Sequence, residues 1–511
     1  MGNSILALVP PERSEPINSP MRRREAGARE ASMMTTPSSS AQPTQPSPAA
    51  TFATDTAVKH PSLLTQQQIA ARLDQLPVSR FHFTVLIVAA LSLFFDTLDT
   101  VITGFVLATL RPLWGFSAAT IGVVSAIGLA GYLVGSAVAG FAADRYGRKR
   151  MIILTLVLYS LFSASRGLVD NIWNFAALNF FTWLFVGAES SIVPPYLAEL
   201  WPTRVRGKLG GLMMGFFALG IAFSPIWALN IIPSLGWRAA LFLTLPFAIV
   251  VGLMRSGLPE SPRWLLRNGR APEAEAALAS IEQRVGRKLN AGTTNVAAAK
   301  PAAQATPART YTARDLLGPR YLKLTLIMWL AWFAEYGVLY TFMTFVPTLL
   351  AMEGFTIVKS FQFSIAIYAS VIPGYVLGGY IVDWLDRKPT AVIAFIGTAI
   401  FGTLFGLSTT STALMTFGGL MAFCLALGST AIYSYTPELY PTEIRATGMG
   451  LASAWGRAGA IILLLVFGVF AVLKGKLFVF VISDVVLLIA AMVVAIVGPS
   501  TKGRSLEDAS S

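Results

Sequence analysis

The chain has 511 residues, of which 54% are hydrophobic and only 13% charged, and its net charge is +13. Soluble domains carry about 25% charged residues, so this composition specifies an integral membrane protein whose basic excess is cytoplasmic loop charge rather than a nucleic-acid surface. A single cysteine, Cys424, excludes an intramolecular disulfide, two histidines, His60 and His82, cannot build a metal cluster, and no Gly-x-x-x-x-Gly-Lys-Ser/Thr phosphate loop is present.

In chain order, residues 1–60 are rich in Pro, Ser, Thr and Ala and are expected to form a disordered cytoplasmic tail without the apolar core of a signal peptide. Within 61–80, Leu63, Ile69, Leu73 and Leu76 recur at helical spacing and predict a short amphipathic helix at the membrane interface. An amino-terminal half, 81–258, holds six apolar spans at about 81–109, 117–142, 151–168, 172–198, 209–232 and 237–256. A polar cytoplasmic linker, 259–320, has an Ala, Thr and Pro rich middle at 291–307. Six further spans fill 321–498, at about 321–350, 361–384, 389–408, 412–436, 446–472 and 475–498, and 499–511 is a second cytoplasmic tail. Each span is close to the ~20 residues that a ~30 Å hydrocarbon layer requires. Lys and Arg crowd one side of this topology, while the opposite connections hold Arg111, Arg166, Arg238, Lys359, Lys474 and Lys476. Both termini are therefore expected in the cytoplasm, with the protein in the cell (inner) membrane.

The second and third spans meet in the stretch GYLVGSAVAGFAADRYGRKR, 131–150, where Gly131, Gly135 and Gly140 would let a neighbouring helix approach closely. The pattern returns in Gly379, Asp383, Arg387 and Lys388, and the segment with Glu199, Pro202, Thr203 and Arg206 returns at the same offset as Glu438, Pro441, Thr442 and Arg445. Two motifs at one offset imply two homologous halves. The spacing G-x-x-x-D-R-x-G-R-K resembles the signature loop of the major facilitator superfamily. LPESPRWLL, with Pro259, Glu260, Ser261, Pro262, Arg263 and Trp264, resembles the motif after the sixth span of its sugar porters and related proton symporters.

The resemblance covers about residues 63–500 and implies an all-α membrane protein. Its twelve transmembrane helices would form two pseudo-symmetric six-helix halves, the major facilitator fold, acting as a monomer by alternating access. It also implies that Asp144, Arg145, Arg148, Glu199, Arg206, Glu260, Arg263, Asp383, Arg387, Glu438 and Arg445 latch the halves together when the protein opens outward. Asp144 would then face a helix N-terminus of the opposite half. The second copy has Trp384 for the first arginine and Asp386 for the glycine, which predicts a weaker latch.

Five ionisable residues fall well inside spans: Asp96, Asp99, Glu189, Glu335 and Arg457. Each costs about 2.5–3.5 kcal/mol at a helix centre, so they must face a cavity or one another. Asp96 and Asp99 share one helix face, and two close carboxylates do not readily ionise together, which suits a proton-coupling site. Asp99, one turn deeper, is the preferred carrier, with Glu189 and Glu335 as further proton-coupling candidates. Arg457 requires an anionic partner, either a solute carboxylate or Glu335. Glu335, Tyr336 and Tyr340, among Trp329, Trp332 and Phe333, join Arg457 as candidate substrate-binding residues, and Asp484 reads as structural.

The acid-bearing first span, the glutamate after Gly187, the Tyr-Gly pair of span seven and the arginine of span eleven resemble proton symporters of organic and aromatic acids, including niacin-type carriers. This implies symport of protons with a small aromatic or other carboxylate. Sugar/proton symport is the alternative, opposed by the absence of Gln and Asn from span seven; a non-transporting solute receptor is another. No nucleophile, metal or cofactor motif supports an enzyme.

Overall fold

Long apolar runs closed by small polar caps make the regular structure of this chain helical throughout the described residues. The computed structural model describes residues 65–286 and 313–501, apart from the side chains of 206–208, 313, 442 and 443. The tail 1–60, the 291–307 stretch, most of 499–511 and the Arg206 side chain lie outside the described residues.

Helix α1 (Gln66–Asp74) begins at Thr65, which shares a reciprocal capping box with Gln68. The first six spans are α2 (Arg80–Trp114), α3 (Ala118–Tyr146), α4 (Arg148–Ser165), α5 (Ile172–Leu200), α6 (Thr203–Leu235) and the broken pair α7 (Trp237–Phe242) and α8 (Leu245–Ser256). Gly115, at φ 67°, ends α2 as only glycine does cheaply, and Ser117 and Asn171 cap α3 and α5. Helices α9 (Pro262–Arg267) and α10 (Ala271–Val285) occupy the start of the linker. The second six spans begin with α11 (Leu322–Met352), the pair α12 (Ile357–Ala369) and α13 (Val371–Leu385), α14 (Arg387–Leu407) and α15 (Ser411–Glu438).

The last helical stretch, α16 (Thr442–Val497), has 56 residues, ~84 Å at ~1.5 Å per residue and far more than one crossing needs. Its backbone breaks at Gly475, φ 77° and ψ −179°. The Phe467 and Phe480 rings lie 5.8 Å apart, whereas a straight helix would separate them by ~20 Å. The chain therefore turns back at Gly475, and the 11 apolar helical stretches among the described residues make twelve crossings.

Helices inside each half touch through glycines. A Cβ at Gly135 would lie 1.8 Å from the Leu184 carbonyl oxygen and one at Gly131 would lie 2.2 Å from that of Phe180, so α3 and α5 meet backbone to backbone. Gly140 is a correction to the expectation, because nothing lies within 4 Å of its Cβ position.

The two ends of the molecule differ. At the end away from the Asp144 turn the halves are pressed together. A Cβ at Gly122 would meet Leu464 O at 2.3 Å, one at Gly104 would meet Thr344 O at 2.9 Å, and Phe105 packs edge-on to Phe361 at 4.9 Å. At the Asp144 end, the Cβ positions of Gly140, Gly379 and Gly450 meet nothing, and Phe141 and Tyr380 are 82% and 75% exposed. The halves part there.

The stripe on α1 expected to lie in the membrane interface is covered by protein instead. Ile69, Leu73 and Leu76 are buried against a cluster that includes Leu200, Trp201, Leu258, Leu278 and Ile281. Arg72 reaches α10, bonding Glu282 at 2.8 and 2.9 Å and Glu275 at 2.7 Å. Burial opposes the Arg72 charge, but these two carboxylates outweigh it and hold its pKa above the ordinary value. Asp74 accepts from the Thr203 backbone and hydroxyl, both at 2.8 Å, and so caps the start of α6.

Candidate functional site

Charge buried in apolar helices must find partners, and the first half does so internally. Arg166 lies in the connection after the last turn of α4, as expected, but its side chain is fully buried. Its Nη2 donates to both Asp99 oxygens at 2.7 Å and to Ser163 Oγ at 2.7 Å; its Nη1 donates to Thr103 Oγ1 at 2.8 Å and Asn179 Oδ1 at 2.9 Å. Ser163 also donates to Asp99. Asp99 is thus locked in an ion pair with satisfied neighbours.

A second buried pair joins Glu189 on α5 to Arg255 in the last turn of α8, and Arg255 Nη1 also donates to Ile152 O at 2.6 Å. Asp96 stands between the two pairs, under the charges of Glu189, Arg255 and Asp99 and beside Tyr159, and its Oδ1 has no hydrogen-bond partner in the protein. Three buried acids therefore face two arginines, and Asp96 is the one without a cation of its own. Neither arginine was recognised from sequence. Both lie at span ends, where basic residues ordinarily face the headgroups; the signal available was the unmatched run of acids in this half.

The second half keeps its charges apart. Arg457 on α16 donates through Nη1 to Ser453 O at 3.0 Å and also to Ser453 Oγ, and through Nη2 to the Tyr132 hydroxyl at 3.1 Å. Its guanidinium lies 4.8 Å from the Tyr132 ring centroid and 5.1 Å from that of Tyr336, both within cation–π range. Its Nε has no hydrogen-bond partner, and no carboxylate among the described residues pairs with it. The bond to Tyr132 is, among the described residues, the one side-chain hydrogen bond joining the two halves. Tyr132 in turn donates to Ser190 Oγ at 2.5 Å. Gly456, one residue before the arginine, lets α16 close on Trp332 and Tyr336, since a Cβ there would come within 3.2 Å of both.

Glu335 is fully buried and does not reach Arg457, so the internal ion pair weighed as an alternative is not formed. It accepts from Ser429 Oγ at 2.7 Å, and its Oε2 has no partner. Around these groups stand aromatic rings: Trp332 stacks on Tyr336 at 5.0 Å and meets Tyr433 at 4.8 Å, Tyr336 lies 6.0 Å from Tyr340, and Tyr340 lies 6.1 Å from Trp183 of the first half. Tyr336 and Tyr340 thus belong to this ring cluster, while Tyr132, Tyr433 and Trp183 went unrecognised because single aromatics in apolar spans are ordinary packing.

The charged turns form two parallel clusters, each within its own half. Arg148 bonds Asp144 at 2.8 Å and lies 3.6 Å from Glu199; in the second copy Arg387 bonds Glu438 at 2.9 Å and lies 3.7 Å from Asp383. Asp144 does not sit on a helix N-terminus of the other half. Glu260 takes such a place in its own half, accepting from Lys149 N at 3.1 and 3.3 Å at the start of α4, and Ser261 donates to Glu199 at 2.5 Å. Arg145 lies over the Tyr146 ring, Arg445 donates to Tyr440 O at 3.3 Å, and the Arg263 Nε is unpartnered. Asp386, at φ 94° and ψ 158°, takes nearly the backbone shape of Gly147, φ 105° and ψ 145°. Its carboxylate accepts from Arg387 N at 2.8 Å and from the Ser500 and Thr501 hydroxyls at 2.9 and 3.4 Å.

Comparison with known proteins identifies the family and the fold. The sugar (and other) transporter family matches residues 50–511. The niacin transporter NiaP of Acinetobacter baylyi is 33% identical, over 86% of this chain and 99% of its own. A gallate transporter of Pseudomonas putida is 32% identical, over 76% of this chain and 85% of its own. The crystal structure of a D-xylose–proton symporter superposes with a TM-score of 0.65 at 20% identity, covering 83% of this chain and 99% of that one, and so shares the fold. The chain belongs to the sugar (and other) transporter family of the major facilitator superfamily, whose members move small solutes across membranes and are not enzymes.

Proposed function

We propose that the protein is a proton-coupled symporter of a small aromatic carboxylate, acting as a monomer in the cell inner membrane with both termini cytoplasmic. The observation that carries this reading is Arg457, a permanent cation buried between the two halves with tyrosine and serine partners but no carboxylate. A guanidinium in that position favours an anion with two oxygens, and the surrounding rings favour a flat one. Niacin and gallate, named for the two relatives, are both flat aromatic acids.

The proton is assigned to Asp96, the first-half acid in excess of the arginines; Asp99, the deeper residue, is already paired. The preference between the two therefore reverses. With the Asp144 end cytoplasmic, the closed far end and parted near end describe an inward-facing state, in which a latch across the halves is undone. Sugar symport has the linker motif in its favour but leaves Arg457 without an anionic partner.

Proteoliposome uptake under an imposed proton gradient tests the reading, with benzoate, benzamide and xylose as solutes. Benzoate should accumulate, benzamide and xylose should not, and Arg457→Ala should abolish the difference. Equal handling of acid and amide by wild type would overturn it, and xylose accumulation would restore the sugar reading.

A further inference from the structure

A small polar cavity lies between the halves, on the closed side of Arg457, and the proposed function does not use it. Its walls include Thr103, Ser125, Asn179 and Trp183 of the first half and Tyr340 and Thr344 of the second, and its ≈ 10 Å³ admits about one water-sized group. Two of the polar walls are already committed. Thr103 Oγ1 accepts from Arg166 Nη1 and donates to Asp99 O, both at 2.8 Å, and Asn179 accepts from Arg166 at 2.9 Å and donates to Val124 O at 3.2 Å. Ser125 is not: its side chain is buried, the residue being 6% exposed, and its Oγ has no hydrogen-bond partner in the protein. The wall beside it is tight, since a Cβ at Gly128 would come within 2.6 Å of Asn179 Nδ2.

Helix register carries this cavity up to the ring cluster. On α3, Ser125 and Leu129 line it and Tyr132 follows on the same face, at spacings of four and three. On α5, Asn179 and Trp183 precede Ser190, the partner of Tyr132; on α11, Tyr340 and Thr344 lie one and two turns beyond Tyr336. Tyr132 and Tyr336 are the rings against which the Arg457 guanidinium lies. Tyr340 lines the cavity, faces Trp183 at 6.1 Å and lies 6.0 Å from Tyr336, so the cavity adjoins the aromatic cluster around the cation. Along α3, Ser125 stands ~10 Å from Tyr132 at ~1.5 Å per residue, about the span of a para-hydroxy aromatic acid with a hydrogen bond at each end.

We propose that this cavity is a subsite for a single hydroxyl on the solute ring, remote from the carboxylate, and that Ser125 is the residue that hydrogen-bonds it. The carboxylate sits at Arg457, the ring among the tyrosines, and the hydroxyl takes the place of the one water that the space admits. This inference rests on the reading of Arg457 as the carboxylate anchor. A hydroxyl donates and accepts as water does, so it satisfies Ser125 while releasing an ordered water, whereas a larger substituent exceeds the space.

Calorimetric titration of the purified full-length protein with benzoate, 4-hydroxybenzoate and 4-methoxybenzoate tests the inference. Wild type should bind the hydroxy acid about tenfold more tightly than benzoate, and the methoxy acid no more tightly than benzoate. Ser125→Ala should bring the ratio of hydroxy acid to benzoate to within about twofold of unity. Equal binding of the hydroxy and methoxy acids by wild type, no preference for the hydroxy acid over benzoate, or full retention of that preference in Ser125→Ala overturns the inference. The wild-type series decides the matter if the variant does not fold. Arg457→Ala separates the two readings. If it weakens all three acids while wild type shows no hydroxyl preference, the anchor stands and the subsite falls. If it weakens none, or wild type binds none, the anchor falls and the subsite with it.

Discussion

The two halves share a fold and a loop motif yet treat buried charge in opposite ways. The first half packs Asp96, Asp99 and Glu189 with Arg166 and Arg255, so that two ion pairs are complete and one acid is left over. The second half separates Glu335 from Arg457 and completes neither. A buried ion pair neutralises itself, whereas an unpaired buried charge needs a mobile partner. On this view the first half binds the proton and the second binds the solute, and the Arg457–Tyr132 bond between them is the contact through which one can sense the other.

The largest effect should come from breaking a completed pair. Asp99→Ala leaves Arg166 charged and buried, and should cost about 3–5 kcal/mol in denaturant unfolding, while Asp96→Asn should cost far less. The reverse should hold for function: Asp96→Asn should abolish gradient-driven accumulation yet retain solute exchange, which need not release a proton. If Asp96→Asn still accumulates solute, the leftover acid is not the carrier.

Next in size, Arg457→Ala should weaken binding of an aromatic acid by about 10–100-fold, and Arg457→Lys by less, through loss of bidentate geometry. Unchanged binding in titrations of both variants would remove the asymmetry between the halves. The comparison is sharpened by Arg457→Ala combined with Glu335→Ala. Because the two side chains do not pair, their effects on unfolding should add to within about 0.5 kcal/mol, and mutual rescue would mean that they do. The smallest effect belongs to Glu260→Gln, which removes a charge from the start of α4 and should cost about 0.3–1 kcal/mol at low salt.

Sequence made the fold legible because spans are long, apolar and punctuated by basic turns, and because Asp144 and Glu199 have counterparts at a fixed offset in Asp383 and Glu438. Even the break at Gly475 is written in the polar triplet Lys474, Gly475 and Lys476. The site was legible only where a residue was costly by itself. Asp96, Asp99, Glu189, Glu335 and Arg457 declared themselves by charge, but their partners did not. Arg166 and Arg255 turn inward from span ends, and Tyr132 approaches Arg457 from 325 positions away in the sequence. Such pairing is a property of how helices dock, which no local pattern encodes.

Asp386 shows how a duplicated loop can drift without changing shape. Its first-copy equivalent is Gly147, and both hold a backbone conformation that side chains resist, at a cost of roughly 1–3 kcal/mol for a residue other than glycine. The aspartate recovers part of that cost through three acceptor bonds, two of them from Ser500 and Thr501 just beyond the last helix. The segment just after α16 thus acts as a brace for a turn with no glycine. A substitution that disturbs Ser500 would strain a loop more than a hundred residues upstream, in the half that contains Arg457.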